Sequence, residues 1–239
     1  MRERRRRGDP LFEAEHAVLD DPVVAHAAAI LYNPLVRRTA LALLALLTSC
    51  AAPAAGPGGV DLDAAGDEAV GLLREILRID TINPPPPGSP KANADESALC
   101  RRVRDRLARW GVPSEIVESA PGRGNLVARV RGTGAKRPLL LMAHIDVVGV
   151  ERGSWDVDPL SGELRDGFIW GRGALDDKDD AAVFAVVLGL LARSGERLSR
   201  DVILMLNADE ESSGAWGAKW MVERRWDLID CEAVISEGG

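Results

Sequence analysis

Apolar residues recur at Val70, Leu73, Ile76 and Leu77, the three-and-four spacing that predicts a helix over residues 67–79. Asn83 and four prolines, Pro84, Pro85, Pro86 and Pro87, stop it. Residues 95–110 repeat the spacing with Leu99, Val103 and Leu107, and the arginines between them read as a solvated helix face. The pattern then shortens. Residues 125–130 read as a strand, and the continuous apolar run 139–143 reads as a strand buried on both faces. Residues 181–191 form an apolar helix, 202–206 a strand, 214–225 a helix and 233–236 a strand. Strands alternating with helices predict an α/β domain with a largely parallel sheet. No internal repeat is visible.

Acidic and imidazole groups gather where these strands end. The 139–143 strand runs into His144-Ile145-Asp146, the 202–206 strand into Asp209-Glu210-Glu211, and the last strand into Glu237-Gly238-Gly239. Between them lies Gly171-Arg172-Gly173-Ala174-Leu175-Asp176-Asp177-Lys178, a glycine-punctuated loop leading into a helix. Open α/β sheets build their sites outside the carboxyl ends of strands. His144 and Asp146, two apart on extended chain, share a side. Each piece alone has a plain structural reading: a satisfied histidine, a solvated glutamate pair, a loop lacking the Gly-Lys-Ser/Thr ending of a phosphate cradle. Four acidic clusters on one rim repel one another unless a cation neutralises them.

Composition narrows the classes. The 239 residues are 46% hydrophobic and carry a net charge of −7, which argues against a nucleic-acid partner. Cys50, Cys100 and Cys231 are too scattered for a disulfide framework or a zinc knuckle. Of the three histidines, His16, His26 and His144, only the last falls in the predicted domain.

The N-terminal part reads as targeting. Arg37-Arg38, a short apolar run and Leu47-Thr48-Ser49-Cys50 resemble a bacterial lipoprotein signal, with Cys50 as the lipidated residue. The run is too short to span a bilayer. The alternative is a buried helix. The signal predicts export to the cell envelope and anchoring to the membrane. Residues 1–35 then precede the true start, placed near Val36, and 36–50 are the signal segment. Residues 51–66, rich in Ala, Pro and Gly, read as a flexible linker, and 67–239 as the domain.

The ordered set of Asp146 after His144, Trp155 to Pro159, Asp166-Gly167, Trp170-Gly171-Arg172-Gly173, Asp176 with Lys178, and Glu210-Glu211 resembles the two-zinc metallopeptidase family. That family includes aminoacylase-1, acetylornithine deacetylase, carboxypeptidase G and carboxypeptidase S. Asp176-Asp177-Lys178 and Glu210-Glu211-Ser212-Ser213-Gly214 look most like the carboxypeptidase S and N-acyl amino acid hydrolase branch. The resemblance implies a three-layer zinc-exopeptidase catalytic domain. It also implies hydrolysis of an amide bond in a small peptide or N-acyl amino acid. His144, Asp176 and Glu237 would bind the first zinc, and Asp176 would bridge to a second held by Glu211. Asp146 would orient the imidazole of His144. Glu210 would be the general base. Adjacent Glu210 and Glu211 point to different sides, but their separate roles come from the resemblance. Asp179, Gly149 and Leu160 depart from the family's usual Gly, Pro and Phe, and blur the substrate.

Relatives complete the second zinc with a downstream histidine, and hold substrate with a lid domain that also dimerises. No histidine follows His144 in this sequence. The expectation is a C-terminally truncated catalytic domain without the lid, and a homodimer only if that domain is present. Two alternatives stand beside the two-zinc enzyme: a mononuclear site of His144, Asp176 and Glu237, and an inactive lipoprotein fragment holding one zinc.

Overall fold

The protein was analysed as a computed structural model that describes residues 61–84 and 94–237. The expected signal segment, its Cys50 and the region before them lie outside the described residues. No helix among the described residues is long and apolar enough to cross a membrane.

Helix α1 spans Leu62–Leu77 and α2 spans Glu96–Arg109. Strands β1 (Ser114–Ala120), β2 (Arg123–Val130) and β3 (Leu139–His144) follow. After a 3₁₀ turn at Arg152–Ser154 come β4 (Glu163–Arg165) and β5 (Phe168–Trp170), a small separate hairpin. Helix α3 (Lys178–Arg193), β6 (Val202–Asn207), α4 (Ala218–Arg224), the one-turn α5 (Trp226–Ile229) and β7 (Ala233–Ile235) complete the order.

Helix α1 begins earlier than its apolar spacing predicts. The Asp61 carboxylate accepts from the amides of Asp63 and Ala64, each at 3.0 Å, and so satisfies donors that a helix start leaves free. Residues 62–66, read as part of a linker, are therefore helical. Asp63 and Ala64 are exposed, so hydrophobic periodicity carries no trace of this first turn. Asp95 caps α2 in the same way through the amide of Ala98.

The five-stranded sheet has the order β1-β2-β6-β3-β7. β6, β3 and β7 pair in parallel, and β2 opposes both β6 and β1. Four strands thus run one way and β2 alone runs the other. Side chains alternate between two cores, as the pleat requires. Leu139, Leu141, Val202, Leu204 and Leu206 face the core shared with α1, α2 and α3. Leu140, Ile203 and Met205 face the smaller core with Met221 and Ile229 of α4 and α5. The result is a three-layer α/β fold with a mostly parallel sheet. β1 and the β4–β5 hairpin escaped the sequence reading. β1 is half-exposed, with charged Glu115 and Glu118 bracketing Ile116 and Val117.

The helix expected over 214–225 starts later, at Ala218. The Asp209 carboxylate holds the preceding residues as a turn, accepting from Ser213 Oγ at 2.7 Å and from the Trp216 amide at 3.2 Å. At Gly217 a Cβ would lie 1.7 Å from the carbonyl oxygen of Ala208, so the returning chain passes too close for any side chain.

A second close approach yields a stability prediction. A Cβ on Gly189 in α3 would lie 2.5 Å from Trp110 Cε3, and that ring is buried between Arg193 and Arg106. Gly to Ala inside a helix ordinarily gains about 1 kcal/mol. Here overpacking against a fixed indole costs about 1–3 kcal/mol. Gly189→Ala is expected to lower the urea midpoint; a raised midpoint would show that Trp110 yields freely.

Candidate metal centre

The register of the central strands sets the centre. β3 and β6 run side by side with His144 opposite Asn207, and the Ile145 amide bonds the Asn207 carbonyl at 3.0 Å. The residues that follow, Asp146 and Asp209-Glu210-Glu211, therefore leave the sheet at the same edge. β7 ends there with Glu237 close behind, and the loop into α3 brings Asp176.

His144 is buried, and its Nδ1 lies 3.1 Å from the main-chain oxygen of Asp146. A carbonyl oxygen only accepts, so Nδ1 carries a proton, and the outward-facing Nε2 is the ring nitrogen left to bind an ion once it gives up the proton it shares with Asp176. Around Nε2 stand Asp176 Oδ1 at 2.9 Å, Glu237 Oε1 at 3.7 Å and Glu210 Oε2 at 3.9 Å. Two sets each place one donor atom per residue within 4.8 Å of the others: His144, Asp176 and Glu211, and His144, Asp177 and Glu237. The expected metal residues are thus close together, but the sets divide them differently from the family-derived grouping. Glu211 stands with Asp176 and His144. Asp177, given no role in the sequence reading, stands with Glu237. Asp177 is 2% exposed, and its Oδ2 accepts the His144 amide at 3.0 Å, tying the end of β3 to the α3 loop.

The electrostatics are those of a cavity short of positive charge. Burial acts to lower the His144 pKa, but Asp146, Asp177 and Asp176 outweigh it and push it up to about 10. Burial and the neighbouring Asp176 hold the Glu211 carboxyl above its usual range. Burial also raises Glu237, again with a contribution from Asp176. Asp177 is pushed up to about 8, by burial first and by Asp180 next. Imidazole nitrogen and carboxylate oxygen are the donor set of a zinc or similar divalent site, and such an ion would relieve this repulsion. The residues therefore fit a metal ion.

Asp146 is fully buried and acts as a hub. Its Oδ1 accepts the Glu210 amide at 3.0 Å, and its Oδ2 accepts the Glu211 amide at 3.1 Å and Asn83 Nδ2 at 2.8 Å. Its carboxylate is 3.5 Å from His144 Nδ1, so the ring is oriented at closer range by the Asp146 main chain. Asn83 also donates to Asp209 Oδ1 at 2.9 Å and accepts from Arg123 Nη2 at 2.8 Å. Arg123 in turn pairs with Glu96 at 2.6 Å. In the sequence Asn83 stands out only as a helix stop, Arg123 and Glu96 have no special place, and Lys178 enters only as part of the family motif. Lys178 is fully buried, and its Nζ donates to the carbonyls of Ile79 and Ile76 at 3.0 and 3.3 Å. Those carbonyls lie at and just beyond the C-terminal end of α1, where acceptors are left free and a cation is favoured. The lysine thus docks the Asp176 loop onto α1.

Beside Asp176 opens a cavity of about 440 Å³, walled by Trp155, Phe168, Trp170, Arg172 and Leu175. Arg172 stacks on the Trp155 ring at 5.4 Å.

Residues 140–239 match Peptidase family M20/M25/M40, a stretch that holds every acidic strand end described above. Over these residues the chain is similar to that family. It is 46% identical over 102 residues to the N-fatty-acyl-amino acid synthase/hydrolase PM20D1 of Xenopus tropicalis, covering 42% of this chain and 20% of the relative. It is 32% identical over 173 residues to aminoacylase-1 of Sus scrofa, covering 71% of this chain and 40% of the relative. Its fold superposes on an M20 family metallo-carboxypeptidase of Sulfolobus solfataricus with a TM-score of 0.57 and 25% identity, over 72% of this chain and 38% of that one. The chain therefore spans between a fifth and two fifths of these relatives' length.

Proposed function

We propose that this chain carries the metal-binding part of a zinc-dependent hydrolase that cleaves the amide bond of a small peptide or an N-acyl amino acid. The observation that carries this reading is the outward-facing Nε2 of His144, with carboxylates from three further chain segments around it. His144, Asp176, Glu211 and Glu237 would hold the metal, with Asp176 shared if two ions are present. The metal, when bound, supplies Lewis acidity toward a carbonyl oxygen and toward water. Glu210 takes the proton of the attacking water and returns it to the leaving nitrogen as the carbon–nitrogen bond breaks. Its side chain is half exposed and stands outside both sets of close donor atoms, which leaves it free to move a proton. Asp146 fixes the Glu210 main chain, and its own main chain fixes the His144 tautomer. The aromatic cavity beside Asp176 suits an apolar acyl group or side chain. The relatives' names point the same way, toward N-acyl amino acids. They lend no support to the alternative of an inactive fragment.

The test combines metal binding with turnover. Zinc at a hundred times its dissociation constant is expected to stabilise the purified chain by about 2.7 kcal/mol in thermal unfolding. A chelator reverses this, and His144→Ala abolishes it. Release of free amino acid from an N-acyl amino acid should require the same zinc. A chain that zinc does not stabilise, or that hydrolyses equally well in chelator, would refute the proposal.

A further inference from the structure

Asn83 sits more than sixty residues before His144, yet its side chain reaches two of the strand-end carboxylates, Asp146 and Asp209. The main chain around it is independently held. The Asn83 amide bonds the Val147 carbonyl at 2.8 Å, the Val147 amide bonds the Thr81 carbonyl at 3.1 Å, and Thr81 Oγ1 donates to the Ile145 carbonyl at 2.7 Å. Residues 81–83 thus run alongside 145–147 whatever side chain position 83 carries.

The Asn83 amide is oriented rather than merely buried. Arg123 Nη2 can only donate, so the atom it meets at 2.8 Å is the Asn83 oxygen. The Nδ2 group must then face the other way, where Asp146 Oδ2 and Asp209 Oδ1 lie at 2.8 and 2.9 Å. Both of its protons go to carboxylates. Arg123 is held in this pose by Glu96 of α2 at 2.6 Å. All five residues are buried. Asp146 spends its two oxygens on the Glu210 and Glu211 amides, and Asp209 sits at φ 66° with its other oxygen on Ser213 and the Trp216 amide. A single amide therefore joins the carboxylate that receives the Glu210-Glu211 backbone to the residue that begins its turn.

We infer that Asn83, aligned by Arg123, is a positioning residue that locks the Glu210-Glu211 turn to the His144–Asp146 strand end. It lies outside both sets of close donor atoms. Its effect on turnover rests on the proposed function, but its effect on the turn does not.

The experiment is residue-resolved amide hydrogen exchange on the metal-free chain, comparing wild type with Asn83→Ala and Asn83→Asp at pH 8. The Glu210 and Glu211 amides donate to Asp146, so loosening of that hub exposes them directly. Asn83→Ala is expected to speed their exchange about tenfold, with the amides of β6 at Ile203 and Leu204 unchanged. Asn83→Asp keeps the shape but sets a third carboxylate against two others, and is expected to be at least as damaging as Ala. Should Asn83→Ala not fold, Asn83→Ser is too short to reach both carboxylates and takes its place. Unchanged exchange at Glu210 and Glu211, a uniform rise across β6 as well, or an Asp variant that behaves like wild type would each overturn the inference. These outcomes are independent of zinc binding and turnover, so they are distinguishable from failure of the proposed function. Cobalt(II) added to the same proteins gives a second readout: a shifted visible band in Asn83→Ala is expected if the ligand-bearing turn has moved.

Discussion

Replacing Glu210 by Gln is expected to slow hydrolysis of an N-acyl amino acid about a thousandfold while bound zinc stays unchanged. Gln has the shape of Glu but no basicity. Glu210 belongs to neither close donor set, and its backbone stays pinned to Asp146 through an amide that the substitution does not touch. The loss should fall on kcat, with KM little altered, because the missing interaction is a proton transfer made only as the bond breaks. Glu211→Gln is the contrast. Glu211 stands with His144 and Asp176, and its Oε1 accepts the Val148 amide, so its loss should weaken zinc binding as well as rate. Zinc content by atomic emission and steady-state kinetics read the two effects apart. A Glu210→Gln protein that keeps more than a tenth of wild-type turnover would remove Glu210 as the base. A protein that loses its zinc would make it a ligand instead.

The second large effect concerns stability. Arg123→Met is expected to cost about 3–5 kcal/mol in urea unfolding. Arg123 is 6% exposed and pairs with Glu96 at 2.6 Å and with Asp209 at 3.7 Å in this buried cluster. Burial already pushes the Glu96 carboxyl up to about 7, against the lowering influence of Arg123. Without the guanidinium, Glu96 keeps its burial and loses its partner, and the Asn83 oxygen loses its donor. The cost is that of stranded polar groups rather than of a lost ion pair. Arg123→Met combined with Glu96→Leu should therefore recover part of the loss, since an apolar pair leaves no stranded charge. A single-variant loss below about 1 kcal/mol, or a double variant that is additively worse, would contradict this account.

The two variants differ in how visible their residues are in the sequence. Glu210 stands beside another Glu shortly after an apolar strand, where topology places a site, and its own role comes from the family resemblance. Arg123 sits at a strand start with no pattern around it. Its partners Glu96, Asn83 and Asp209 are 27, 40 and 86 positions away in the chain. Charged residues at such positions are ordinarily solvated, so nothing local distinguishes the buried ones. Lys178 is similar. It matched a family pattern, but its contact with the end of α1 spans about a hundred residues. Asp177 is hidden by its neighbour: the motif draws attention to Asp176, while the hydrogen bond from the His144 amide goes to Asp177.

Sequence alone determined the alternation of strands and helices, the largely parallel sheet they predict, and the strand ends that carry His144, Glu210, Glu211 and Glu237. These follow from local period and from the rule that parallel strands deliver their loops to one edge, both properties of neighbouring residues. Tertiary structure alone decided the rest. It set the early start of α1, where an exposed Asp61 cap replaces apolar signal, and the turn that delays α4, where Asp209 outcompetes helix formation. It also placed Asp177 among the close donors and built the Asn83–Arg123 lock behind them. The start of α1 and the delay of α4 rest on short-range hydrogen bonds that apolar spacing does not report, whereas the Asp177 and Asn83–Arg123 contacts depend on which distant polar groups burial forces to find one another. Hydrogen bonds of that kind leave no periodicity in the chain, and only the folded arrangement selects the partner.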